Sequence, residues 1–292
     1  MIYNPYLAKF GTTFGNFHSA RDLGLYPTSK PVITAPEVQT SEIEIPGRDG
    51  KLDMTEALDG MPHYFNREGT WEFTSIGREN WTTAYHRLKN RLHGKKMRIV
   101  VDEENDGFYV GRLTVEEPEY DSIKGTAIFT VSGDLEPYKY SLISTLEDWP
   151  WNPFSWSRGI IRNYSHIQIN TYTSEKKVNG LTLPAATIRK KSLTYENPTA
   201  SDTKWQTYTN TNKLIIYGSD LPEIPNIILL YGNLDIRYIK DDGTKSGWYT
   251  LKSGDNGNKD YMQDFLVKDD FGTQLEFRGA GVIAIDIQLG WL

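Results

Sequence analysis

The apolar residues of this sequence come in short alternating runs, and this pattern constrains the fold more than any other feature. In residues 64–76, for example, Trp71 and Phe73 alternate with Glu72 and Thr74. Alternation of this kind is typical of a strand with one buried face. No regular succession of strand and helix patterns follows, which disfavours a parallel sheet built from βαβ units. The sequence therefore predicts a mainly β protein.

One segment, residues 78–93, departs from the strand pattern. Its large apolar residues recur at spacings of four, three and four, which places them on one face of an α-helix: Trp81, Tyr85, Leu88 and Leu92. Asn80 suits the start of this helix, and Gly94 suits the left-handed residue after its end. We predict a helix that covers a sheet; a helix that binds a partner is the alternative.

The length of 292 residues favours two domains. Residues 134–157 contain three prolines and little periodicity, as expected of a junction. We therefore predict an N-terminal β domain, a barrel or sandwich with one α-helix, over residues 1–137. A C-terminal β-sandwich follows over residues 138–292, and its last strand, near 281–292, is a candidate to return to the first domain.

The net charge of −6 is confined to the N-terminal part of the chain. Residues 1–137 hold 15 basic and 21 acidic residues, whereas residues 138–292 hold 17 of each. An acidic chain of this kind argues against a general nucleic-acid binder, which needs a basic face. The chain also has no cysteine, which excludes a disulfide scaffold, a cysteine-ligated metal and a thiol nucleophile.

Motifs that carry catalysis are missing from the sequence. It contains no G-x-S-x-G, no H-E-x-x-H and no Walker A sequence. We interpret the histidines as ordinary polar residues of the surface rather than metal ligands: His18, His63, His86, His93 and His166. We therefore expect no enzyme, and no catalytic, cofactor or metal site. No apolar run is long enough to span a membrane as a helix, and the first ten residues do not resemble a signal peptide.

A glycine pair near the C-terminus matches a loosened dinucleotide-binding pattern, G-x-G-x-x-A, at residues 279–284. That mechanism needs a helix after the glycines, whose N-terminus faces the pyrophosphate. Residues 281–290 alternate like a strand instead. We therefore reject the match and predict a turn between two strands.

The junction is unusually aromatic, with four large rings in the segment DWPWNPFSW: Trp149, Trp151, Phe154 and Trp156. Apolar anchoring of the linker between two domains is one interpretation, because large rings stabilise most when they are buried. A platform on which sugars stack is the other. The two prolines within the segment favour an extended chain.

Several segments in order resemble the distal tail protein (Dit) family of long, non-contractile phage tails, also encoded by prophages of Gram-positive bacteria. The segments that carry the resemblance are IEIPGRDGKLDMTEAL (43–58), YFNREGTWEF (64–73), LKNRLHGKKMRIVVD (88–102), FYVGRL (108–113), FTVSGDLEPYKYS (129–141), DWPWNPFSWSRGII (148–161) and LEFRGAGVIAIDIQLGWL (275–292). It is weakest at 185–270, where we expect a phage-specific insertion.

The resemblance implies an N-terminal domain that assembles as a homohexameric ring, and a C-terminal β-sandwich similar to galectins and carbohydrate-binding modules. It implies a structural hub in the virion tail tip, assembled in the cytoplasm of the bacterial host. Its partners would be the tail tube protein and the tail-associated or baseplate hub protein. A carbohydrate-binding adhesin module that contacts the host cell wall is the alternative function.

A ring would give the uneven charge a role. Six N-terminal domains would bring about −36 charges together, and an acidic lumen would let DNA pass without specific binding, because it repels phosphates. The candidate lumen residues are Glu103, Glu104, Asp106, Glu116, Glu117 and Glu119.

Overall fold

The computed structural model describes residues 10–57, 60–76, 81–104, 106–121, 123, 125–142, 144–146, 154–155, 159–160, 163–192, 204–240, 242–255, 265–267 and 272–292. The chain divides into two compact units, residues 1–140 with Leu292 and residues 141–291. Strands dominate both, so the prediction of a mainly β chain is confirmed.

The first unit consists of short strands and two α-helices. Its strands are Thr12–Phe14 (β1), Phe17–His18 (β2), Leu25–Pro27 (β3), Val32–Ile33 (β4), Glu42–Glu44 (β5), Lys51–Asp53 (β6), Arg67–Ile76 (β7), Lys96–Val101 (β8), Gly107–Val115 (β9), Glu119–Asp121 (β10), Thr126–Leu135 (β11) and Lys139–Ser141 (β12). Its helices are Ser19–Leu23 (α1), Trp81–Leu92 (α2) and the 3-10 helix Asp102–Glu104.

The main sheet of this unit runs in the order β2-β1-β8-β9-β11-β7-β3. Within this sheet, β11 pairs antiparallel with β7 on one side and β9 on the other. Alternate residues of β9 are buried in the sheet, as expected of a strand with one buried face.

Helix α2 confirms the helix predicted over residues 78–93. Ala84, Leu88 and Leu92 are buried on it and join one apolar cluster with Trp71 and Phe73 of β7. The helix thus contributes to the core of the first unit, as an amphipathic stripe predicts. Gly94 has the expected left-handed backbone, at φ 75°, whereas Asn80 lies outside the described residues. Neither α-helix in the described part of the chain is long and apolar enough to cross a membrane.

The short helix α1 is not apparent in the sequence, and its position shows that the interpretation of His18 as a polar surface residue is wrong. His18 is only 2% exposed and caps α1, with Nδ1 accepting the backbone N–H groups of Ala20 and Arg21. A helix of five residues is too short for its apolar period to be recognised, and histidine is not among the preferred capping residues.

The second unit is built from strands alone in its described residues. They are Phe154–Ser155 (β13), Gly159–Ile160 (β14), Ile167–Asn170 (β15), Lys176–Val178 (β16), Leu181–Leu183 (β17), Thr187–Ser192 (β18), Lys204–Thr209 (β19), Lys213–Ile216 (β20), Asn226–Ile239 (β21), Tyr249–Thr250 (β22), Gly254–Asp255 (β23), Thr273–Asp286 (β24) and Gly290–Trp291 (β25).

Strand β24 organises the second unit. Its whole length pairs with β21, while its other edge pairs with β20 in the first half and with β15 in the second half. The main sheet runs β19-β18-β15-β24-β21-β22. Its core contains Phe277, Ile283 and Ile285 of β24 and Ile236 of β21.

The glycine pair Gly279 and Gly281 lies in the middle of β24, so the predicted turn between two strands is wrong. A Cβ on Gly279 would lie 2.4 Å from the carbonyl oxygen of Asn233, and a Cβ on Gly281 would lie 2.6 Å from that of Tyr231. Both carbonyls belong to β21, which is itself irregular between Leu229 and Tyr231. The glycines therefore permit close approach of two long strands.

Candidate interaction sites

The six acidic candidates form two separate groups at opposite ends of β9. Glu103, Glu104 and Asp106 precede this strand, and Glu116, Glu117 and Glu119 follow it. A strand of nine residues spans roughly 30 Å, so the two groups are not one patch within a chain.

The first group is largely neutralised by lysines. The Nζ of Lys139 lies 3.2 Å from Oε2 of Glu104 and 2.7 Å from Oδ1 of Asp106. The Nζ of Lys30 lies 3.0 Å from Oε1 of Glu104. Burial disfavours the ionised form of Glu104, but its contacts with Lys30 and Lys139 outweigh burial and hold its pKa below the ordinary value.

Tyr109 completes this group from within β9. Its hydroxyl donates to Oε2 of Glu104 across 3.2 Å. Burial, reinforced by the negative charge of Glu104, raises the pKa of Tyr109 well above its ordinary value, which keeps the phenol protonated as a donor. The cluster of Lys30, Glu104, Asp106, Tyr109 and Lys139 is therefore an internally satisfied structural network.

The second group consists of exposed carboxylates. Glu116, Glu117 and Glu119 are all exposed, on the segment that leaves β9 and enters β10. The backbone N–H of Glu116 donates to the carbonyl of Thr130 at 3.0 Å, and Glu119 begins β10, which pairs with β11. The negative charge of these three side chains is therefore compensated less than that of Glu104 and Asp106.

The junction aromatics are described only in part. Trp149, Trp151 and Trp156 lie outside the described residues, and for Phe154 only the backbone is described, paired with Ile160. Anchoring of the junction and stacking on sugars both stay predictions for these rings.

A long segment of the first unit is exposed in its described residues, 37–57 and 60–66, and we call it the arm. Its two strands β5 and β6 pair with each other, with Ile43 opposite Leu52, and a bridge joins Val38 to Tyr64. In the described parts of the arm, 37–57 and 60–66, every side chain is exposed or half-buried.

The arm carries large apolar side chains that its own chain does not cover. Ile43 is 50% exposed and Phe65 is 54% exposed, and Val38, Ile45 and Met54 are exposed as well. A two-stranded ribbon of this kind gains little stability by itself in water. Contiguous exposed apolar residues mark surfaces that bind other proteins.

In the second unit, strand register gathers charged and aromatic side chains on one face of the sheet. Arg237 of β21 pairs with Glu276 of β24, and Asp235 pairs with Arg278 one row away. Trp248 immediately precedes β22, the neighbour of β21. The Cζ atoms of Arg237 and Arg278 lie 4.3 Å and 4.1 Å from the centroid of the Trp248 ring.

This face borders an open cavity of about 540 Å³, which we call the Trp248 cavity. Its lining is predominantly polar: Thr171, Ala186, Asn210, Thr211, Asn212, Arg237, Trp248, Glu276, Phe277 and Arg278. Ala186 and Asn210 both have left-handed backbone, with φ 46° and 56°, and a backbone hydrogen bond of 2.8 Å joins them. The cavity has the volume typical of a small-ligand site.

Glu276 is the acidic side chain of this cavity, and its oxygens are occupied. Oε2 accepts from Nε of Arg237 at 2.9 Å and lies 3.1 Å from Nζ of Lys245, while Oε1 accepts from the amide of Asn212 at 3.3 Å. Burial opposes its ionisation, yet the hydrogen bonds from Lys245 and Arg237 hold the pKa of Glu276 below its ordinary value.

The sequence does not single out the residues of the Trp248 cavity. They come from six separate segments between residues 171 and 278, and only the pairing of strands that are distant in sequence brings them together. The alternation within 227–239 does predict that Asp235 and Arg237 share a face, but it does not identify the strand opposite. No group of three potential metal ligands occurs in the part of the chain that the structure describes.

Comparisons with known proteins find a similar fold among the solved structures. No family model matches the sequence, and no curated protein matches it either. The fold is similar to the crystal structure of the Dit protein (gp 19.1) of phage SPP1, with a TM-score of 0.51 and 12% sequence identity. The match covers 97% of this chain and 99% of that one.

The SPP1 protein is described as a paradigm of the hub adsorption apparatus in phages that infect Gram-positive bacteria. At 12% identity the likeness concerns the fold. It extends over both units, and it agrees with the resemblance that the ordered sequence segments carry. The chain therefore has the fold of a distal tail protein.

Proposed function

We propose that this protein is a structural component of a phage tail tip. It forms a homohexameric ring hub that joins the tail tube protein to the tail-associated or baseplate hub protein and the receptor-binding apparatus. The observation that carries the proposal is the fold shared with SPP1 Dit over nearly the full length of both chains. The role is structural and needs no active site.

The arm supports self-association. Its exposed apolar residues, Ile43 and Phe65 foremost, need a partner to leave water. A second copy of the chain is the proposed partner, because a ring forms when one surface repeatedly contacts a different surface of the next copy. Each arm would then reach the neighbouring protomer.

We also propose an acidic lumen. The six candidate residues contribute unequally to its negative charge, because some are exposed and others contact lysines. Glu103, Glu116, Glu117 and Glu119 are exposed and carry most of the repulsion towards DNA. Glu104 and Asp106 contribute less, since Lys139 contacts both. An electron cryomicroscopy map that placed the exposed carboxylates on the outer rim, or showed a basic bore, would contradict this part.

Light scattering of the purified full-length chain tests the assembly. We expect a mass of about 200 kDa, six chains of 33.4 kDa. A double change in the arm, Ile43→Ser with Phe65→Ser, should shift the mass towards the monomer. Ile215→Ser, which changes an apolar side chain of the second unit that is 42% exposed, should leave the mass unchanged. A wild-type monomer at high concentration would contradict the proposal.

A second candidate function is carbohydrate binding by the C-terminal unit, as an adhesin that contacts the host cell wall. The Trp248 cavity favours it, because its lining combines one aromatic ring with several hydrogen-bonding side chains. This function is compatible with the ring. Screening the full-length protein on a glycan array tests it, and binding to no glycan would leave the structural role alone.

A further inference from the structure

Two arginines make the Trp248 cavity electropositive. Among its lining residues, Arg237 and Arg278 face a single carboxylate, that of Glu276. Lys245 also contacts Glu276, and Asp235 lies opposite Arg278 on the same face, so three cations accompany two carboxylates. A cavity with surplus positive charge and a saturated carboxylate favours an anionic ligand over a neutral or cationic one.

The two arginines have different roles. Arg237 is committed to Glu276 through two contacts, from Nε at 2.9 Å and from Nη2 at 2.8 Å. Arg278 is exposed and forms no ion pair with any carboxylate that the structure describes. Its guanidinium lies over the Trp248 ring, a position that orients the planar group while its N–H donors remain available.

The other wall of the cavity suits hydroxyl groups. Asn210, Thr211 and Asn212 line it with amide and hydroxyl side chains, which both donate and accept hydrogen bonds. The side-chain amide of Asn212 already donates to Glu276 and to the carbonyl of Phe277, which fixes its position. A volume of about 540 Å³ accommodates one or two sugar-sized units.

We propose that the Trp248 cavity binds an anionic polyol, a saccharide or glycerol chain that carries phosphate or carboxylate groups. Arg278 binds the anionic group, Arg237 reinforces the positive potential, and the polar wall binds the hydroxyls. This inference rests on the second proposed function and names its site and ligand chemistry. It is independent of whether the chain forms a ring.

Isothermal titration of the full-length protein with poly(glycerol phosphate) tests the site, with polygalacturonate as the carboxylate probe. Binding of either probe supports the proposal, and their comparison identifies the anionic group. We expect a neutral glucan of equal length and inorganic phosphate to bind at least about tenfold more weakly, since each lacks one half of the recognised chemistry. Equal affinity for the neutral glucan or for inorganic phosphate would overturn the proposal.

Variants locate the binding. Arg278→Ala should lower the affinity for the anionic polymer at least about tenfold through loss of a charge-assisted hydrogen bond. The affinity of Arg278→Lys should lie between those of Arg278→Ala and the wild type. Arg189→Ala is the matched control, because Arg189 lies over the ring of Trp205 at 5.2 Å and lines no part of this cavity. It should bind like the wild type.

The outcomes separate this inference from the functions on which it rests. Polymer binding that Arg278→Ala leaves unchanged would overturn the site while leaving carbohydrate binding intact. Absence of binding to both anionic polymers would overturn the inference, and the mass from light scattering would still report the ring separately. An unchanged thermal midpoint of Arg278→Ala would exclude loss of folding as the cause of weaker binding.

Discussion

The Nε2 of His18 lies 2.8 Å from Oδ2 of Asp102 and joins two segments that are 84 residues apart in the chain. Because Nδ1 accepts the N–H groups of Ala20 and Arg21, the proton resides on Nε2, which donates to the carboxylate. One buried imidazole therefore caps α1 and fastens it to the 3-10 helix before β9.

His18→Ala should destabilise the first unit by about 2–4 kcal/mol. It removes a helix cap, worth about 1 kcal/mol, and a buried hydrogen bond to a charged group, worth about 1.5–3 kcal/mol. Native-state hydrogen exchange read by mass spectrometry measures the free energy of unfolding of each unit separately. His86→Ala, on the exposed face of α2, is the control, and an equal effect of both variants would refute the role of His18.

Asn170 fastens a loop of the second unit from within. Its amide donates to the carbonyls of Ser174, Leu183 and Pro184 at 3.0, 3.0 and 2.9 Å, and its Oδ1 accepts the N–H of Tyr172. We expect Asn170→Ala to lower the free energy of unfolding of the second unit by about 2–4 kcal/mol, because these buried groups lose their partner.

Asn170→Asp tests the same hydrogen bonds through the pH dependence of stability. A carboxylate at this position would face three carbonyl oxygens, so its pKa in the folded state should rise. The variant should therefore lose stability as the pH rises above the unfolded pKa of about 4, whereas the Ala variant should not share this dependence. Denaturation curves at several pH values measure both, and identical pH profiles would contradict the prediction.

Glu104 should contribute to acid unfolding of the first unit. Its pKa is lower in the folded state than the ordinary 4.5, since Lys30 and Lys139 outweigh the effect of burial. A lowered folded pKa stabilises the fold above the unfolded pKa, and this stabilisation is lost as the pH falls through the folded pKa. Glu104→Gln should therefore flatten the decline in stability below about pH 4.5.

The matched control for Glu104 is Glu117→Gln, which changes an exposed carboxylate of the same unit. Its free energy of unfolding between pH 3 and pH 7 should follow the wild-type curve. A Glu104→Gln curve parallel to the wild type throughout this range would show that the lysine contacts do not stabilise the fold.

Gly281→Ala should destabilise the second unit by about 1–3 kcal/mol, because the new Cβ would lie 2.6 Å from the carbonyl oxygen of Tyr231. Gly247→Ala is the same change at a position where nothing lies within 4 Å, and it should alter stability by less than about 0.5 kcal/mol. Thermal unfolding of both variants measures the difference, and equal midpoints would contradict the close approach of β21 and β24.

Local patterns predicted the elements whose burial depends on neighbours along the chain. Leu88 and Leu92 are fully buried where the helical period placed them, and Trp71 and Phe73 are buried on β7 where alternation placed them. The resemblance to distal tail proteins predicted the fold from an ordered set of segments that are individually weak.

Elements that depend on distant partners were missed. Gly279 and Gly281 have the spacing typical of a turn. They are needed instead because carbonyls of β21, about 45–50 residues away along the chain, leave no room for a Cβ. The Trp248 cavity likewise depends on register between strands, which alternation alone does not specify. His18 was missed because the partner of its Nε2, Asp102, is remote in sequence.

Averaged electron micrographs of the purified protein test the proposed ring most directly. We expect closed rings with sixfold symmetry, which the Ile43→Ser and Phe65→Ser double variant loses while it remains folded. Single particles of one chain, or open filaments in place of closed rings, would contradict the proposal that this protein is a hexameric tail-tip hub.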